Sequence, residues 1–206
     1  MDQTNHNNLA ARILAFWFGT PDSPDWDRER AMWFTRSEEF DARVRAEFLP
    51  AWEAAHAGTD GWSSFVENTA EVGPETVCAR IVLLDQFPRN MFRGDPRSFA
   101  TDAQALALAR RMVERGDDRC LPTPYHRMFC YMPFEHAEAL DAQHAAVELM
   151  TALREDTAGR VDVVEWAERH RVVIERFGRF PHRNAVLGRP STDQELAFLR
   201  QPGSSF

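Results

Sequence analysis

The chain has 206 residues, 44% of them hydrophobic and 27% charged, with a formal net charge of −8. That length predicts one domain, residues 1–206, able to bury a sizeable core. The charge excludes a general nucleic-acid binder, which needs a basic face to neutralise phosphates. Every one of the 24 basic residues is Arg, a bias that lowers the weight any single Arg carries as a functional sign. Cys78, Cys120 and Cys130 form no Cys-x-x-Cys pair, which suits reduced thiols, with Cys78 in a packing role. The polar start Met1–Asn8 and the lack of a long uncharged apolar run predict a cytoplasmic chain that does not enter a membrane.

Helical periodicity runs through the whole chain and strand alternation is nearly absent. Residues 1–7 and 201–206 are expected to be disordered. Leu9–Phe18 reads as a first helix, stopped by Gly19 and followed by Pro21 and Pro24. A short helix takes in Ala31–Phe34. Ser37–His56 carries Phe40, Val44, Phe48 and Trp52 as an apolar stripe, with Pro50 expected to bend or divide it. Gly58–Gly73 is turn-rich, with Trp62 and Phe65 expected to pin it to the core. Pro74 opens a helix to Phe87 whose Val77, Ile81, Val82, Leu83 and Leu84 should be covered on most sides. Thr101-x-x-Gln104 is a capping-box pattern for a helix ending at Gly116. Pro124–Tyr131 is predicted as a short helix ending at Met132-Pro133, with a long helix from Phe134 to about Arg154. Asp162–Phe177 follows, and Thr192-x-x-Glu195 caps the last helix. The expected class is all-α: about eight or nine helices in stacked antiparallel hairpins, tetratricopeptide-like.

One pattern occurs twice. Arg80–Asn90 is an apolar run, then Phe87-Pro88, then Arg89-Asn90, then a Gly/Pro loop with Arg93, then Thr101-Asp102. Arg171–Asn184 repeats it through Phe180-Pro181 and Arg183-Asn184 to Gly188-Arg189-Pro190 and Thr192-Asp193, the two Phe-Pro steps lying 93 residues apart. Such an echo points to repeated helical hairpins over a common core, with polar groups gathered at each helix break.

Polar residues also fall where a core should be. His170 lies on the face made by Val163, Trp166, Val173, Ile174 and Phe177. His136 and Gln143 extend the row of Leu140, Val147 and Met150, with His144 beside it. Each must find a partner, because an unpaired buried polar group costs about 1–3 kcal/mol. Glu135, His136 and Glu138 are placed in the first turns after Pro133, where carboxylates suit the helix dipole or an acid–base pair. Arg89, Asn90, Arg93, Arg179, His182, Arg183, Asn184 and Arg189 either satisfy helix-end carbonyls and pair with Asp85, Asp95 or Glu175, or clamp a carboxylate or phosphate.

Glu53-x-x-His56 is the only Glu-x-x-His, and no His-Glu-x-x-His, Gly-rich phosphate loop or Gly-x-Ser-x-Gly elbow occurs. No metal and no cofactor is therefore expected.

Four segments, Phe16-Trp17-Phe18-Gly19, Leu83–Asn90, Tyr131–His136 and Phe177–Asn184, resemble the bacterial family designated domain of unknown function 924. The resemblance runs from about Ile13 to Leu199. It implies a tetratricopeptide-like all-helical fold and brings no activity with it.

Two functions compete. One is an enzyme or sensor for a small anionic metabolite, carboxylate or phosphate. Its catalytic candidates are His136, His170 and Glu138. Its ligand-binding candidates are Asp85, Arg89, Asn90, Arg93, Glu135, Gln143, Arg179, His182, Arg183 and Asn184. The other is a helical module that binds a peptide or protein partner without catalysis.

Overall fold

Phe40, Val44, Phe48 and Trp52 recur at every fourth position, so one side of their helix is apolar over its whole length and must be covered. All four are buried in the computed structural model, which describes residues 3–61 and 72–204. The predicted loop anchors Trp62 and Phe65 lie outside the described residues, as do Met1, Asp2, Ser205 and Phe206.

Helix α1 (Gln3–Phe18) starts six residues before Leu9, and its His6 ring bonds the Asp60 carbonyl. It ends at Gly19, where φ is +85° and an added Cβ would meet Ser23 Oγ at 2.6 Å, a position suited only to glycine. A 3₁₀ turn, Ala31–Trp33, replaces the expected second helix. Helix α2 (Glu38–His56), capped by Ser37, is continuous through Pro50. Helices α3 (Pro74–Ile81) and α4 (Phe87–Met91) are joined without a break by a π turn, Val82–Gln86. Then come α5 (Asp102–Arg115), α6 (Pro124–His136), α7 (Leu140–Asp156), α8 (Val164–Phe177) and α9 (Asp193–Leu199). No strand occurs among the described residues, so the all-helical class is the one expected.

Helices adjacent in sequence pack on one another: α5 on α6, α6 on α7, α7 on α8. The main core joins Ile13 and Trp17, the α2 stripe, Val77–Leu84, Phe87 and the buried face of α6. Cys78 and Cys130 are buried in it, while Cys120 is exposed. A separate small cluster of Val173, Ile174 and Phe180 is packed by Phe177 and Phe198. No helix among the described residues is long and apolar enough to cross a membrane.

Two helix ends differ from expectation, and both bear on the polar residues. Helix α6 runs through Pro133 to His136, and the break falls at Ala137–Ala139, both extended residues. The reason lies in Gln143, whose Nε2 donates to the carbonyls of Glu135 (2.7 Å) and Ala137 (2.8 Å) and, at 3.3 Å, of Phe134. These are carbonyls that a helix end leaves open, so a side chain three residues into α7 closes α6. Glu135 and His136 thus sit at a helix C-terminus, not in a first turn. The second difference is at Thr101. It makes no capping bond to its helix; its hydroxyl is used elsewhere. The Thr192–Glu195 capping box forms as expected.

Candidate functional site

The site is built on a proline. Pro88 has no amide hydrogen, so an α-helix through it must forgo the bond to the Leu84 carbonyl. The chain widens into the π turn instead, closed by the Phe87 amide on the Val82 carbonyl. The Leu84 carbonyl accepts from the Thr101 hydroxyl at 2.5 Å, and the Asp85 carbonyl accepts from Arg89 Nη1 at 2.6 Å. Thr101 in turn accepts from Trp52 Nε1 at 3.2 Å. The Leu84 and Asp85 carbonyls thus take side-chain donors in place of backbone amides, as buried backbone requires. Single π turns of this kind recur at functional sites.

Within that turn Asp85 is fully buried. Its carboxylate accepts from His136 Nδ1 at 2.8 and 2.9 Å and from Gln86 Nε2 at 2.6 Å, with Arg89 Nη1 3.4 Å away. Burial pushes this carboxyl up, but His136 and Arg89 outweigh it and hold the group at about 2, ionised. Arg89 also forks onto Asp102 at 2.8 and 2.9 Å.

Asp102 is where the two echoed corners meet, because it also accepts from Arg183 Nη1 at 3.3 Å. The Arg183 guanidinium is stacked between Phe99 and Phe180, 4.5 and 4.6 Å from the ring centres. Its side chain is 7% exposed; among the described residues that bond to Asp102 is the side chain's one hydrogen bond, and Nε is buried without a partner. Burial, then Arg89, lowers Arg183 to about 10, so it stays charged at neutral pH.

His170 lies 6.4 Å from the His136 ring and 5.5 Å from Phe180. Its Nδ1 is 2.8 Å from the Trp166 carbonyl and 3.2 Å from Glu135 Oε1. Burial, then the negative charge of Asp85, pushes the Glu135 carboxyl up to about 8. Burial lowers His170 to about 3 and His182 to about 4. It lowers His136 as well, with Arg89 adding to it and Asp85 opposing. Two carboxyls on neighbouring imidazoles are therefore held in opposite states at neutral pH: Asp85 ionised, Glu135 protonated. Environments that separate pairs in this way are how proteins assign acid and base roles.

The other predicted residues lie around this centre in different ways. Glu138 takes the Phe180 amide at 2.8 Å and Arg189 through both oxygens at 2.6 and 2.8 Å, latching the second corner to the segment between α6 and α7. Asn184 is held by Ser191 and Arg189 within that corner. Arg179 forks onto Glu195 at 2.7 and 2.9 Å. Asn90 and Arg93 turn the other way, to Asp41 of α2. Gln143 acts through the backbone closure described above. Of the predicted ion-pair partners, Asp85 takes Arg89, whereas Asp95 holds Arg97 and Glu175 holds Arg171.

Asp102, the bridging carboxylate, and Phe99, one wall of the arginine stack, were not singled out by sequence reasoning. The available signal was the Thr-Asp pair that ends each echo, read there only as a helix start.

An all-helical protein in which two proline corners join through a part-buried Arg–Asp–Arg bridge beside an Asp–His pair is the class that fold and site define together. The chain belongs to the bacterial family of proteins of unknown function DUF924, whose model matches residues 13–203. It is similar to the solved structure of the protein of unknown function ATU0120 from Agrobacterium tumefaciens. That similarity has a TM-score of 0.74 at 38% identity over 94% of this chain and 98% of that one. None of the curated proteins matches the chain. No group of three or more His, Cys, Asp or Glu that could hold a metal ion occurs among the described residues.

Proposed function

We propose that the protein binds a small anionic metabolite, a carboxylate or phosphate, at the Arg183 side of this centre, beside His136 and Glu135. One observation carries the reading: the guanidinium of Arg183 is fixed between two rings and bonded at one nitrogen only. The Nε–Nη2 edge is the one that meets carboxylates and phosphates in two parallel bonds, and an Nε–H buried without a partner costs stability unless something is bound to it. Arg89, by contrast, already spends both terminal nitrogens, forking through Nη1 and Nη2 onto Asp102 and bonding the Asp85 carbonyl through Nη1. Asp85, Arg89 and Asp102 then serve to hold Arg183 and His136 in place, and Glu138 holds the corner that carries Arg183.

Thermal-shift titration with inorganic phosphate, succinate and malate tests this. At least one anion is expected to raise the melting temperature in a saturable way, and Arg183→Gln is expected to abolish that rise. A wild-type protein that no anion stabilises contradicts the reading. The peptide-binding alternative has the exposed Trp166 and Val172 of α8 in its favour; recovery of one stoichiometric partner lost on Trp166→Ala would support it instead.

A further inference from the structure

If Arg183 anchors an anion, His136, joined to it through Asp102, Arg89 and Asp85, decides what else that anion must carry. His136 commits its Nδ1–H to Asp85, whose carboxylate can only accept. In the neutral ring this assigns the lone pair to Nε2. His136 keeps 13% of its side-chain surface exposed, and its hydrogen bonds among the described residues all run through Nδ1, which leaves Nε2 as an unspent acceptor. Arginine offers only donors. The centre therefore presents two different demands: donors on Arg183 and an acceptor on His136.

We infer that the ligand is a hydroxylated anion, such as a hydroxy acid or a phosphorylated alcohol, with its anionic group on the Arg183 edge and its hydroxyl hydrogen donated to His136 Nε2. This rests on the anion-binding reading above and deepens it. His136 is then the general base of the site: when the O–H bond breaks, its electron pair stays on the ligand oxygen and the proton forms a new N–H bond at Nε2. Asp85 is a positioning residue, since it fixes the tautomer and stabilises the imidazolium without taking the proton. A buried acceptor left unpaired by the wrong ligand is a strong basis for discrimination.

Two pairs of probes matched in charge test the inference: malate against succinate, and 3-hydroxypropyl phosphate against propyl phosphate. Isothermal titration is expected to show the hydroxylated member of at least one pair binding roughly tenfold tighter, the scale of one well-made hydrogen bond. Asp85→Asn presents an amide that can donate to Nδ1, moving the ring proton to Nε2. That variant should bring the ratio to about one, and its ¹⁵N histidine spectrum should show the other tautomer. Equal binding within both pairs overturns the inference and leaves anion binding standing. No binding of any probe overturns both. A ratio that survives in Asp85→Asn and in His136→Ala likewise overturns the role assigned to His136.

Discussion

At the residue scale the buried ionisable groups set a pH profile for stability. His126, His170 and His182 are lowered by burial to about 4, 3 and 4. The unfolded chain then binds protons that the folded one does not, so stability is fully present above about pH 6.5 and is lost as pH falls towards 4. Glu135 works in the opposite sense. Its folded carboxyl keeps a proton up to about 8, so stability is highest below the ordinary glutamate range and is lost as pH rises to 8. Three imidazoles outweigh one carboxyl on the acid side, and above pH 6.5 only the glutamate slope remains. Wild-type melting temperature is thus expected to peak near pH 6.5 and decline towards pH 8. Glu135→Gln, which imitates the protonated form, should melt higher than wild type at pH 8, with the gap closing towards pH 5. Melting curves across pH 5–8.5 check this; a Gln variant less stable at pH 8 would mean Glu135 is ionised there.

The helix ends depend on single side chains, and two substitutions isolate them. Thr101→Val keeps the shape but strips the hydroxyl from the Leu84 carbonyl and the Trp52 indole. The loss should be about 2 kcal/mol, seen as a lower urea midpoint with unchanged slope, and Thr101→Ser should recover most of it. Gln143→Leu should cost about 1–3 kcal/mol, because the carbonyls ending α6 lose their donor in a buried place. No loss in either variant would mean these ends are closed by other means.

These same ends mark how far the sequence can be read. The α2 stripe and the apolar run Val77–Leu84 were legible because burial follows periodicity directly. The Thr192–Glu195 box was legible because both its partners are local. Pro88 and Pro133 read as breaks, yet each helix continues. At Pro88 the freed Leu84 carbonyl is satisfied by Thr101, a residue 17 positions on; beyond Pro133 the true end is set by Gln143. Proline's local cost was real, but the compensation came from distant side chains that periodicity does not reveal. Periodicity puts Trp166 on the apolar face of α8, yet it is half exposed, since α8 is covered by α7 and α6 rather than on all sides.

For the molecule as a whole, the echo is a matter of composition more than of shape. The first copy passes its Phe-Pro as a helix with a π turn; the second stops at Gly178, whose φ is +70°, and continues as a 3₁₀ turn. What the copies share is the delivery of one arginine each to Asp102. The two asparagines of the echo do not join them: Asn90 faces Asp41, and Asn184 faces Ser191 and Arg189. The meeting at Asp102 also places the centre where the small cluster around Phe180 joins the helices of the main core, so ligand binding there should stiffen the chain's C-terminal third. Amide exchange of α8 and α9 is expected to slow when a binding anion is added.

Anion binding at this centre stands or falls with Arg183. Calorimetric titration of malate into wild type and Arg183→Lys measures it: Lys keeps the charge but loses the planar two-donor edge. Binding by wild type with at least a tenfold weaker Kd in Arg183→Lys is the predicted result. Equal affinity in the two proteins would contradict it.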